Sequence, residues 1–377
     1  MSYMKFASAL FAACSSISVA ASSLPEWVNV SGFASVAAAK SDNATPYYYT
    51  RDIGDEWCFD CDTTLGIQLD LYPTDWLHFS VQGVKRPSDH FRDPELEWAY
   101  VAVNPTDTFQ LRAGRLRSPM FMYSQVVFVN QAYPWIRLPA EVYDTTAGFT
   151  RFEAIDALIN VELSDQLFAD IQPYIAFPSK INGNEVNQLK FDVDVKEVYG
   201  LRIDLEGVNW GLYVNYFKSR VDISTVERYA IPGLPPQIPP QQLAFAINTD
   251  TWSYGAKVDI DDWTLMFEAT TAEGSSWGAY ASAIYHYNDW SPYIVYGKRL
   301  PSDAEGVSVD KSDSLSLGLR YDIKPNLSII GEWHYTRVPD IKYRGSFTHP
   351  PSFTGQPGLS DNSATIFSLG LSYSFSL

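Results

Sequence analysis

The sequence predicts an all-β protein: a transmembrane antiparallel β-barrel of about 16 strands, with its third long loop folded into the lumen. The third long loop, 117–145, is too apolar for a solvated hairpin tip, and the lumen is the place available to bury it. Two observations support the barrel. Segments of about ten residues alternate apolar and polar side chains, and the connections between them alternate between short turns and long irregular loops. A barrel wall has this pattern because each strand turns one face to lipid and the other to water.

The alternation is clear from residue 63 to residue 72. Leu65, Ile67 and Leu69 share one face, whereas Gln68 and Asp70 share the other. The same period runs without a break from residue 365 to the last residue, so we expect the chain to end inside a strand. A segment of about ten residues is long enough to cross the bilayer as a tilted strand.

The connections fall into two classes. Turn-forming residues occupy short segments at 73–75, 104–107, 164–165, 206–209, 261–262, 288–289 and 324–326. Mostly longer segments lie between them, near 40–62, 85–94, 117–145, 178–194, 222–249, 298–312 and 340–362, with one short exception at 273–276. Short turns on one rim and long loops on the other are typical of outer-membrane barrels.

Tryptophans follow several of the short turns directly. These are Trp76, Trp210, Trp263 and Trp290. We expect them in the aromatic girdle at the inner membrane interface. The alternative is a set of core tryptophans in a soluble β-sandwich, but a sandwich does not predict a recurring turn followed by Trp.

The first residues predict export. Lys5 precedes an apolar stretch from Phe6 to about Ala13, and small residues follow up to Ala21. This is the pattern of a signal peptide over 1–21, cut after Ala20 or Ala21, ahead of a barrel domain over 22–377. A lipoprotein signal with Cys14 as the lipidated residue is the alternative. No run of 18 apolar residues follows Ala21, which excludes a helical membrane protein.

Composition narrows the range of partners. The chain has 27 Lys and Arg against 44 Asp and Glu, a formal net charge of -17. Nucleic-acid phosphates demand a basic face, so we expect no nucleic-acid partner. Aromatic residues make up 15% of the chain, which suits a wall with apolar lipid on one side and water on the other.

One long segment resembles a known family. Residues 111–123 (LRAGRLRSPMFMY), followed by 132–139 (AYPWIRLP) and 141–143 (EVY), are similar to what Gram-negative outer-membrane porins carry after the fifth strand. The resemblance implies a homotrimer in the outer membrane, in contact with lipid and lipopolysaccharide, that passes small hydrophilic solutes or ions. The chain departs from that family at its end, where Leu377 stands in place of Phe or Trp.

Charges near the third long loop are the candidates for the pore constriction. They are Arg112, Arg115, Arg117, Arg137, Glu141 and Asp144. Charged constrictions decide which ions pass. By parity Arg112 faces the lumen, but Arg115 and Arg117 fall on the lipid side and require a bulge or a place beyond the membrane. The alternative is that the arginines only anchor the loop to carboxylates such as Glu95 and Glu97.

Lumen parity also predicts that Lys196, Arg202 and Glu268 face inward. A second functional hypothesis is a substrate-specific channel with a binding site at the constriction, formed by Tyr123, Tyr133 and Trp135.

Cys58 and Cys61 form a CxxC in the first long loop. Exported proteins oxidise such pairs, and no second CxxC is present to complete a zinc site, so a loop disulfide is predicted and no metal site. Five acids surround the pair: Asp52, Asp55, Glu56, Asp60 and Asp62. We expect them to be solvated, with binding of a divalent cation as the alternative.

The sequence favours a protein that is not an enzyme. A barrel hydrolase that uses Ser and His is the remaining alternative. A lipid hydrolase would need this dyad on the outer face, whereas His78 and His334 face the lumen by parity. In addition, no G-x-S-x-G nucleophile elbow and no glycine-rich phosphate loop occur, and we expect no cofactor.

Overall fold

A computed structural model describes residues 24–48, 51–87, 94–146, 150–186, 189–225, 244–272, 276–301, 311–340, 343, 345–347 and 361–377. The predicted signal peptide lies outside these residues.

The described chain is built almost entirely from strands. In chain order they are β1 Val28–Ser41, β2 Thr64–Thr74, β3 Leu77–Lys85, β4 Glu95–Thr106, β5 Phe109–Arg117, β6 Arg151–Ser164, β7 Leu167–Ala176, β8 Ser179–Val186, β9 Leu189–Glu206, β10 Trp210–Thr225, β11 Ala244–Ile260, β12 Trp263–Ala272, β13 Ser276–Tyr285, β14 Trp290–Pro301, β15 Ser312–Lys324, β16 Leu327–Arg337 and β17 Ser363–Ser376.

The strands close into one antiparallel barrel. Consecutive strands pair with each other, and β1 pairs with both β2 and β17, which joins the two ends of the sheet. β7 and β8 pair with successive parts of β9, so they share one place in the wall. The seventeen strands therefore occupy sixteen wall positions, as the sequence predicted.

The two faces of each strand differ as predicted. In β2, Ile67 is 60% exposed on the outer face, whereas Asp70 is 4% exposed on the inner face. In β17, Phe367 and Leu369 are exposed, and Ser368 between them is buried. The four tryptophans next to the short turns are all exposed, which agrees with a position at the outer surface of one rim.

One parity prediction is wrong. The pairing of β9 with β10 shifts by one residue at Lys196, which marks a β-bulge. The bulge returns Lys196 to the outer face, where it contacts Asp194 and lies 3.5 Å from Asp222. Parity counted along a sequence fails at such a point because one extra residue exchanges the two faces.

Among the described residues, the largest departure from strand lies between β5 and β6. This segment, residues 118–150 and hereafter the inner loop, contains short 3-10 turns and one four-residue helix, α1 Ala140–Tyr143. In the part of the chain that the structure describes, no helix is long and apolar enough to cross a membrane.

Candidate functional site

The inner loop lies inside the barrel, as the sequence predicted. Trp135 Nε1 donates a hydrogen bond of 3.2 Å to Ser282 Oγ on the inner face of β13. On the inner face of β15, the Arg320 guanidinium donates to the Tyr133 carbonyl at 3.0 Å. Asn130 accepts a bond from Ser35 on β1. The loop therefore contacts the wall from β13 around to β1.

Glu268 on β12 holds both limbs of the inner loop. Its carboxylate accepts the backbone N–H of Met122 at 2.7 Å and the Tyr143 hydroxyl at 2.9 Å. Tyr213 and Tyr280, from the barrel wall, donate to the same carboxylate at 2.5 and 2.8 Å. A fully buried carboxylate with four donors is well satisfied, so it can fix the loop without leaving an acceptor oxygen unbonded.

Arg137 is the second anchor. Its side chain is fully buried, and two of its nitrogens lie 2.9 and 2.7 Å from the Asp62 carboxylate. Its Nη1 lies 3.5 Å from Glu332 on β16, and it also contacts Ser368 on β17. The expectation that Asp62 is a solvated loop acid is wrong, because Asp62 is 3% exposed and neutralises Arg137.

Glu141 is buried at the start of α1, against the inner faces of β13 and β14. A Cβ at Gly278 or Gly297 would collide with Glu141, so glycine at these two positions permits the close approach of the helix. One carboxyl oxygen of Glu141 has no hydrogen-bond partner among the described residues. Burial raises the pKa of the Glu141 carboxyl above its ordinary value.

The other four predicted constriction charges are dispersed. Arg112 faces inward and forms an ion pair with Asp156 on the neighbouring strand β6. Asp144 is partly buried just after α1. Arg115 shares the outer-face parity of the exposed Leu111 and forms a half-exposed ion pair with Glu153 at 2.6 Å.

Arg117 turns inward despite its lipid-side parity. It is 3% exposed and lies 3.2 Å from Glu97, at a point where the pairing of β3 with β4 shifts register. Arg86 and Arg151 contact the same carboxylate. Arg117 therefore contacts Glu97, as the alternative hypothesis of anchoring arginines predicted.

The three aromatic residues of the predicted binding site lie together, but they face the wall. Tyr133 and Trp135 are 2% and 1% exposed, and Tyr123 is partly buried. They pack with one another and with Tyr280 at ring-centroid distances of 5.5 to 6.4 Å. The partly exposed face of the loop consists instead of residues 125–129 (QVVFV).

The first long loop also folds inward, which the sequence did not reveal. Tyr47 and Ile53 are fully buried, and they pack with Phe347 and with Ala140 of α1. The predicted disulfide between Cys58 and Cys61 is present in this loop. The only hint in the sequence is the run Tyr47, Tyr48, which is unusually apolar for a solvated loop tip.

The inner faces of β2 and β3 form a separate polar surface. Asp70 accepts hydrogen bonds from Ser80 at 2.5 Å and Gln68 at 2.8 Å, and lies 3.2 Å from His78. Gln82 donates to Gln68 at 2.9 Å. These side chains bond to one another across the two strands, next to the wall that the inner loop covers.

Solved structures with this architecture are known. The fold is that of a porin barrel. The chain superposes on an anion-selective porin from Comamonas acidovorans with a TM-score of 0.60 and 12% identity, covering 92% of this chain and 99% of that one. Salmonella typhi OmpF in complex with daunomycin gives a TM-score of 0.57 and 13% identity, covering 92% and 97%.

A trimer form of OmpT, an outer-membrane protein of Vibrio cholerae, gives a TM-score of 0.60 and 11% identity, covering 92% and 99%. At these identities the likeness concerns the fold. No protein-family model matches the sequence, and no curated protein sequence does either.

Proposed function

We propose that this chain is an outer-membrane porin, a passive diffusion channel for small hydrophilic solutes or ions. The observation that carries the proposal is the inner loop, fixed to one side of a closed barrel of sixteen positions while polar side chains line β2 and β3 next to the wall that the loop covers. A barrel of this size has room for an aqueous passage beside such a loop.

The same proposal includes the export of the chain and its oligomeric state. The chain is exported through its signal peptide, which is cleaved, and it assembles as a homotrimer surrounded by outer-membrane lipid and lipopolysaccharide. The trimeric OmpT of Vibrio cholerae, which shares the fold, supports the assembly.

A non-specific passage is favoured over a substrate-specific one. A binding site at the constriction would need Tyr123, Tyr133 and Trp135 to present ring faces to the solute. Two of these rings are buried against the wall, and the Trp135 N–H is already bonded to Ser282. In addition, Arg137 and Glu141 are buried by wall contacts, so the charges that meet the solute are exposed ones of the wall, such as Lys257 and Asp259, which share the inner-face parity of Ser253 on β11 and are 47% and 45% exposed.

The geometry also disfavours a hydrolase. Ser291 and His286 lie 3.3 Å apart, but the other ring nitrogen of His286 lies 3.0 Å from the Thr264 hydroxyl and not beside a carboxylate. Ser316 and His334 come closer, within 2.8 Å. Both are buried, and the rings of Tyr47 and Tyr48 lie over His334 at 5.4 and 5.7 Å. No carboxylate in the described part of the chain bonds to the second ring nitrogen of His334, and a substrate could not reach the serine.

Conductance tests the proposal. Purified protein in planar bilayers should give stepwise current increments, and liposomes that contain it should swell more slowly as the sugar outside becomes larger. Folded protein without current steps would contradict a channel.

A matched pair of variants locates the passage. Gln68 and Leu69 are neighbours on β2, one facing inward and the other facing out. Gln68→Trp should lower the step size by narrowing the polar side of the lumen, whereas Leu69→Trp should leave it unchanged. Equal conductance in both variants would mean that the passage does not run along β2.

A further inference from the structure

Three charged residues lie side by side on the outer face of the barrel. Lys298 on β14 pairs in register with Asp313 on β15, which pairs in register with Arg337 on β16. The Lys298 ammonium lies 3.4 Å from the Asp313 carboxylate, and Tyr296 donates to that carboxylate at 3.0 Å. Arg337 is exposed, and among the described residues no carboxylate lies within ion-pair distance of it. Of the two cations, Lys298 alone therefore lies within ion-pair distance of the Asp313 carboxylate.

These charges lie at the upper edge of the membrane band. Lys298 follows Trp290, the tryptophan at the opposite rim, by eight residues on the same strand. A tilted strand rises roughly 2.5 Å per residue along the barrel axis, which gives a height of about 20 Å. The apolar band of such barrels is about 25 Å tall, so the charges lie within about 5 Å of its upper edge, where the long side chains of Lys298 and Arg337 can reach the lipid headgroups.

An apolar groove runs below the charges on the same strands. It has a volume of about 470 Å³ and is lined by Leu317, Leu319, Trp333, Phe367 and Leu369 around Gly331. Gly331 lies in register between Leu319 and Leu369, and a Cβ built on it would meet no atom within 4 Å. The groove therefore exists because Gly331 adds no side chain to an otherwise continuous apolar surface. Trp57 of the first long loop closes one side.

We propose that this outer face of β14–β17 binds one lipid of the outer leaflet, with a phosphate on its headgroup held by Lys298 and Arg337 and an acyl chain in the groove at Gly331. The proposal rests on the outer-membrane location given above. Lysine and arginine are the side chains that bind phosphate, arginine by two parallel hydrogen bonds. Gly331 is six residues from Arg337, about 15 Å along the barrel axis, so one lipid can occupy both features.

The opposite side of the barrel provides a comparison. On β10, Lys218 and Arg220 follow Trp210 by eight and ten residues, so they lie at the same height. Lys196 joins them from the β9 bulge, but four carboxylates share that outer face: Asp194, Glu197, Asp222 and Asp250. Acids outnumber bases there, so phosphate should bind poorly although the residue types and the height are the same.

Native mass spectrometry of the detergent-solubilised protein, titrated with bis-phosphorylated lipid A, tests the proposal. The variant Lys298→Gln with Arg337→Gln should bind lipid A roughly 30-fold more weakly, from the loss of two surface cations. The variant Lys218→Gln with Arg220→Gln removes the same charge at the same height and should bind like the wild type. An equal loss in both variants would show attraction by overall charge and would overturn the site.

Two further binding measurements identify the molecule that occupies the site. Dephosphorylated lipid A should bind the wild type as weakly as bis-phosphorylated lipid A binds the Lys298/Arg337 variant; equal binding of the two lipids would overturn the phosphate contact. Gly331→Leu should weaken lipid A binding without altering the oligomeric state. If it alters the oligomeric state and leaves lipid binding intact, the groove holds a second copy of the chain. Conductance should be unchanged in all of these variants, so a failure of the channel proposal is recognised separately, by absent current in the wild type.

Discussion

Arg137 provides the sharpest test of how the inner loop is held. Replacing it with Met keeps most of the side-chain volume but leaves Asp62 and Glu332 without their buried partner. Breaking a buried ion pair from one side costs about 3 to 5 kcal/mol, because the remaining charge is uncompensated. Asp62 keeps Arg51 at 3.3 Å, so we expect the lower end of that range.

The loop can also escape this cost by leaving the wall. If the loop detached from the wall, the carboxylates of Asp62 and Glu332 would be exposed to water. The measured loss of stability therefore cannot exceed the free energy that holds the loop against the wall. We therefore expect two signs together in Arg137→Met: unfolding at lower urea concentration, and faster cleavage of residues 118–150 by proteinase K.

Arg115→Met is the matched control. It removes the same side chain from an ion pair with Glu153 in which both partners are at least one-third exposed. An exposed pair contributes about 0 to 1 kcal/mol, so unfolding and protease resistance should stay near the wild-type values. The reasoning would be refuted if Arg137→Met matched Arg115→Met in both assays.

Two other predictions concern the same loop. Because burial raises the pKa of Glu141, the protonated carboxyl is favoured while the inner loop is seated against the wall. The stability that this protonated group contributes is complete at low pH. It is lost as the pH rises above the ordinary pKa of 4.5 and through the raised pKa. Glu141→Gln, which mimics the neutral acid, should flatten the pH dependence of protease protection above pH 4.5; an unchanged profile would contradict this assignment. Tyr143→Phe removes one of three phenol donors to Glu268 and should cost about 1 to 3 kcal/mol in thermal unfolding, while Tyr287→Phe on an exposed turn should cost nothing measurable.

Much of the barrel could be predicted from local pattern. The alternation in β2 and in β17 identified the outward residues correctly, because the side-chain period of a strand depends only on its own backbone. The alternation of short turns and long loops also predicted about 16 strands, because turn-forming residues too can be recognised from local sequence. Lys196 was assigned to the wrong face because a register shift lies beside it, and a bulge leaves no mark in the hydrophobic pattern. For Arg117, parity required a bulge or a place beyond the membrane, and a register shift between β3 and β4 lies beside its partner Glu97.

The site was predicted less completely. The burial of the inner loop in the lumen was predicted from its apolar content and from its resemblance to porins. The direction in which its side chains point was not predicted. Tyr133 and Trp135 were expected to meet a solute and instead pack on the wall. Aromatic side chains in such a loop suit both roles, and the choice depends on whether a complementary surface, here Ser282 and Tyr280, stands opposite them.

The sequence by itself determined a closed wall with lipid outside and water inside, since that division follows from the two-residue period and the solvent on each side. Only the tertiary structure decided which charges remain available in the lumen. Arg137 is neutralised by Asp62, 75 positions away, and contacts Ser368, 231 positions away. Closure of the barrel brings these groups together, and burial then makes their pairing obligatory, because an isolated charge away from water is too costly to keep.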